Sequence, residues 1–109
     1  MMPATPDDIA TLRDFDRRIN EILAMLGDRP YLPPHENERA RELYTSLKRD
    51  LESEAARNTA ISYAVRAARG HLRAATNTNP IKSHWRSILY EAQVDIRHAI
   101  ASNSPQSDS

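Results

Sequence analysis

The chain has 109 residues, of which 39% are hydrophobic and 28% charged, which suits one helical domain with a modest core better than a disordered chain. Its net charge is +0, so little repulsion opposes self-association. Two glycines and no cysteine argue against phosphate-cradling loops, nucleotide-binding α/β turns, disulfides and cysteine zinc sites.

The first helix is signalled by "TPDDIATLRDFDRRINEILAMLG". Thr5 can cap it, Pro6 suits its first position, and Asp7 and Asp8 favour the positive end of the helix dipole. Ile9, Leu12, Phe15, Ile19, Ile22, Leu23 and Leu26 form one apolar stripe, and Gly27 is expected to end it in a left-handed cap. Asp16 lies inside that stripe; if buried it needs a partner, and an arginine or histidine from the second half of the chain is the candidate. "DRPYLPPHENE" then reads as a proline-stiffened connector, with Tyr31 and Leu32 plugging the end of a bundle.

A second helix is expected from about His35, with Ala40, Leu43, Tyr44, Leu47, Leu51 and Ala55 on one face. A further stripe follows at Ile61, Ala64, Val65, Ala68, Leu72 and Ala75. No Gly or Pro separates the two, so residues 35–76 form either one helix or two, with Asn58-Thr59 as the point of a break. One continuous helix would span about 63 Å at ~1.5 Å per residue and would need a core shared between copies. A break gives an up-down four-helix bundle.

"TNTNPIK" is a stop and restart, with Asn79 capping and Pro80 first in the last helix. Ile81, Trp85, Ile88, Leu89, Ala92, Ile96, Ala99 and Ile100 make its apolar face. The expected architecture is an all-α, small antiparallel bundle of three or four helices over residues 1–101, with a disordered polar tail at 102–109. No apolar run approaches the ~18 residues of a membrane span, and "MMPATPDD" carries no basic-then-apolar leader pattern. Together these point to a cytoplasmic protein that does not engage a membrane.

Charge is unevenly spread. Residues 1–54 carry 8 Lys/Arg against 12 Asp/Glu, whereas residues 55–109 carry 7 against 3. Between Glu54 and Glu91 there is no acid, and Arg57, Arg66, Arg69, Arg73, Lys82 and Arg86 fall in that window. At ~100° per residue Arg66, Arg69 and Arg73 lie within about 60° of one another. Guanidinium groups so arranged grip carboxylates or phosphates, so Arg66, Arg69, Arg73, Lys82 and Arg86 form a candidate anion-binding set. The plainer alternative is a solvated face, or pairing with the acidic first half of the same chain. Tyr63, Ala67, Gly70 and Ala74 lie on another side of the same helix; small residues there suit either packing within the monomer or an interface between copies.

Arg66 and His71 also spell Arg-x4-His, which resembles the Arg-x4–6-His motif of the HEPN ribonucleases. The resemblance covers six residues and implies an all-helical dimer that cuts RNA without metal, using that Arg and His in a cleft at the dimer interface. Ala67 stands where a polar residue often follows the family's arginine. On the last helix, His84, Glu91, Asp95 and His98 share a flank, but only one Asp-x-x-His pair exists, short of what a di-metal bundle uses. Neither a metal site nor any other cofactor is expected, and nucleophilic catalysis has no support.

The reading favoured by these patterns is a non-enzymatic, self-associating interaction module that binds an anionic partner: an acidic protein surface, a nucleotide or a short RNA. The alternatives are the HEPN-like ribonuclease and a purely protein-binding adaptor or inhibitor.

Overall fold

Helix α1 starts where its first residues say it should. Thr5 and Asp8 close a reciprocal capping box, each donating its backbone N–H to the other's side-chain oxygen at 3.0 Å. The computed structural model describes residues 4–30, 32–73 and 84–103, His84 by its backbone alone. They form α1 (Pro6–Leu26), α2 (Pro34–Ala56), α3 (Ser62–Arg73) and α4 (His84–Asn103). Gly27 ends α1 at φ 52 and ψ −133, and its N–H donates to Leu23 O. The positive φ is as expected, but ψ carries the chain outward into the connector rather than into a left-handed cap.

The long-helix alternative is not what forms. Residues 57–61 interrupt the helix, and Asn58 sits at φ 58, the left-handed region that asparagine tolerates better than most residues. Thr59 then opens α3: its backbone N–H donates to Ser62 Oγ at 2.7 Å, and Ser62 N–H donates to Thr59 O at 3.1 Å. A five-residue joint with Asn58 and Thr59 at its centre therefore does what a glycine or proline does elsewhere.

The helices pack in a ring, each against two neighbours: α1 on α2 and α4, and α3 on α2 and α4. Long-range bonds fix their directions. Arg18 meets Asp50 and Arg29 meets Glu36, so α2 runs against α1. Tyr44 O–H donates to Leu72 O and Arg66 Nη2 to Ala55 O, so α3 runs against α2. Asp16 meets Arg97 while Arg86 meets the backbone at Arg29, so α4 runs against α1. The result is an up-down-up-down four-helix bundle.

Its core is the set of stripes read along the chain: Leu12, Ile19, Leu26, Leu47, Leu51, Val65, Leu72, Leu89 and Ile96 are among the residues with no exposed surface. Leu32 is buried and closes one end, beside Tyr44 and Trp85, whose ring centroids are 4.3 Å apart. Helix α4 continues to Asn103, two residues past the boundary expected from sequence. Asn103 Nδ2 donates to Ala99 O and so satisfies a carbonyl of that last turn. Expected features at Tyr31, Ala75, Asn79, Pro80 and Ile81, and the tail beyond Asn103, lie outside the described residues.

Candidate anion-binding face

Helix α3 is a short rod with three different sides. Its buried side is Ser62, Val65, Ala68 and Leu72. On the flank toward α2, Arg66 Nη2 donates to Ala55 O at 3.3 Å and helps close the end of α2. On the opposite flank, toward α4, His71 Nδ1 lies 3.1 Å from Glu91 Oε1 and Nε2 lies 2.9 Å from Asp95 Oδ2. Only a doubly protonated imidazole can offer a donor to both carboxylates. Arg66 and His71 are about 140° apart around the helix, and within the chain they serve different neighbours. The structure does not bring together the pair that carried the ribonuclease resemblance.

Several arginines of the bundle have a carboxylate. Arg17 and Arg18 pair with Asp14, Arg18 also with Asp50, Arg29 with Glu36, Arg49 with Asp50, Arg57 with Glu54, and Arg97 with Asp16. Arg29 holds the Glu36 carboxyl below its ordinary pKa, through a hydrogen bond first and charge second. By contrast, Arg66 and Arg69 have no carboxylate within 4.0 Å among the described residues. Arg69 is the sharper case. It is half-buried, its Nε is enclosed, and no acceptor reaches it. Arg13, Arg39 and Arg41 also lack a partner among the described residues, but they are exposed, on helices that carry excess acid. Arg73 lies on the same flank as Arg69 by helical register and is engaged within the molecule.

The other members of the five-residue set do not join this flank. Arg86 projects from the α1 side of α4, where its Nη2 donates to Arg29 O at 3.1 Å while its Nε is enclosed without an acceptor. Lys82 lies outside the described residues. The set read from one acid-free window is thus split across two sides of the bundle.

Asp16 of α1 is spent on residues that the acid-free window excluded. Asp16 Oδ1 accepts from Arg97 Nε at 2.8 Å and from Gln93 Nε2 at 3.0 Å, and Gln93 Nε2 also reaches Asn20 Oδ1 at 2.8 Å. The partner expected for Asp16 is therefore an arginine of the second half, but it is Arg97 rather than one from α3. Gln93 is almost fully buried, and nothing in the sequence pattern singles it out.

The third side of α3 is open. Tyr63 is 85% exposed, Ala67 is half-buried, and a Cβ added at Gly70 would meet nothing within 4 Å. Among the described residues nothing packs on Gly70; Ala74 lies outside them. On α4, Asp95 turns to His71 while His98 is exposed and has no partner among the described residues. No group of three or more His, Cys, Asp or Glu among the described residues is arranged to hold a metal ion. No helix among them is long and apolar enough to cross a membrane.

No family model matches the chain, and no curated protein or solved structure proves similar to it.

Proposed function

We propose that this protein is a non-enzymatic helical interaction module that associates with itself and binds an acidic protein surface through the α3 flank carrying Arg66, Arg69 and Arg73. The observation that carries this reading is Arg69. A guanidinium half removed from water with no acceptor is costly on its own, by about 1–3 kcal/mol for an unsatisfied donor. A carboxylate brought by a partner removes that cost and gains charge-assisted hydrogen bonds. The charge layout favours a protein over an extended nucleic acid. α3 holds three arginines and no acid, whereas α1 holds five acids against three arginines and α2 six acids against three arginines and one lysine. A long phosphate backbone laid on α3 would meet repulsion from the neighbouring helix, and a local acidic patch would not. The open side at Tyr63, Ala67 and Gly70 supports self-association, which light scattering measures directly.

Fluorescence anisotropy with a labelled glutamate-rich helical peptide tests the binding site. Affinity should fall at least tenfold in Arg69→Ala, weaken as salt rises from low to high, and stay unchanged in Arg86→Ala on the other side of the bundle. Equal binding by the wild type and Arg69→Ala would sink the reading. Tighter binding of a short RNA or of ATP than of the peptide would move the partner to another class.

A further inference from the structure

At the opposite end of the bundle from Trp85, a cleft of about 660 Å³ opens between the first turns of α1 and the 57–61 joint. That volume is in the range of sites for small molecules. Its walls carry opposite charges: Asp7 and Asp8 on the α1 side, Arg57 and Arg66 on the other.

Two of these four groups are already committed. Asp8 closes the capping box with Thr5. Arg57 Nη1 sits 3.2 and 3.3 Å from the two oxygens of Glu54. The other two are left over. Asp7 makes no ion pair or hydrogen bond among the described residues, and Arg66 spends one Nη2 donor on Ala55 O and has no carboxylate. That single bond fixes the guanidinium at the wall while its remaining donors stay unused. The free acid and the free base line one cleft yet do not pair with each other. The rim adds Tyr63, which is 85% exposed.

We infer that this cleft binds a small zwitterion of dipeptide size, its ammonium on Asp7, its carboxylate on Arg66 and an aromatic or apolar side group against Tyr63. Opposite charges that line one cleft without an ion pair between Asp7 and Arg66 match a ligand that carries both charges at its two ends. A purely anionic ligand would be repelled by Asp7 and Asp8, and a purely cationic one by Arg57 and Arg66. The inference does not depend on the acidic-partner reading, although the two share Arg66.

Two-dimensional amide NMR on the whole protein tests it, with the dipeptide glycyl-tyrosine as probe and N-acetyl-glycyl-tyrosine amide, which lacks both charges, as control. The charged probe should shift amides of Thr11, Asn58, Thr59, Ala60 and Tyr63 with a saturable curve at millimolar concentration. The uncharged control should bind at least tenfold more weakly. Asp7→Asn and Arg66→Gln should each weaken the charged probe by a similar factor, with folded spectra otherwise unchanged. Arg69→Ala should leave the titration as it is while removing the acidic-peptide binding above, so the two readings fail separately. No shifts at 20 mM probe, or equal shifts from the uncharged control, would overturn the inference.

Discussion

A glycine inside a twelve-residue helix costs about 1 kcal/mol relative to alanine, and nothing in the bundle offsets that cost at Gly70, where a side chain would meet open space. Gly70→Ala should therefore stabilise the monomer by about 1 kcal/mol in urea titration. If the bare backbone serves close approach of a second copy, the same substitution should lower the associated fraction seen by light scattering. Tyr44 shows the opposite economy, a buried polar group fully used. Its hydroxyl donates to Leu72 O, and burial pushes its phenol above the ordinary tyrosine pKa. The unfolded chain loses that proton near pH ~10, so above this pH the unfolded state binds fewer protons and stability falls as pH rises. Unfolding free energy should decline above about pH 10, and Tyr44→Phe should flatten that decline. The same variant should cost about 1 kcal/mol at neutral pH, because Leu72 O loses its donor.

Between α2 and α3 the chain turns on one residue in an unfavourable region. Left-handed backbone costs a β-carbon residue about 1–2 kcal/mol and glycine far less. Asn58→Gly should leave stability equal or higher, and Asn58→Ala should lower it by about 1 kcal/mol, both read from thermal melts. An Asn58→Ala protein as stable as the wild type would mean that the joint is not held in this geometry. This joint marks the limit of what was legible in the sequence. The apolar stripes of α1, α2 and α4 predicted the core because helical period alone decides which residues share a face. The break was visible only as a possible cap at Asn58-Thr59, since the stripes on either side stay in phase and no glycine or proline intervenes. Azimuth about a single helix was also legible, so Arg66, Arg69 and Arg73 fall on one flank as read. Which neighbour faces that flank was not, because the ring order is a tertiary property. Hence Arg86, counted with them from sequence, sits across the bundle by Arg29, while Arg97 and Gln93 close onto Asp16 with no sign of it in spacing.

The ring order also sets how the molecule assembles. Three of its four packing seams join helices adjacent in the chain, and the seam between α1 and α4 closes the ring. Local seams form at low entropic cost, whereas the closing seam brings residues about eighty positions apart together. Arg97→Ala and Gln93→Ala should therefore speed unfolding while leaving the folding rate nearly unchanged in stopped-flow denaturant jumps. A folding limb slowed as much as the unfolding limb is sped would place that seam in the nucleus instead. One further property follows from the packing at the other end of the ring. The chain has a single tryptophan, 2% exposed, its ring centroid 4.3 Å from that of Tyr44 with the rings tilted by 47°. Its emission therefore arises from one apolar, tyrosine-fed environment where α2, α3 and α4 meet, so the protein carries a built-in optical gauge of that junction, at the other end of the bundle from the cleft.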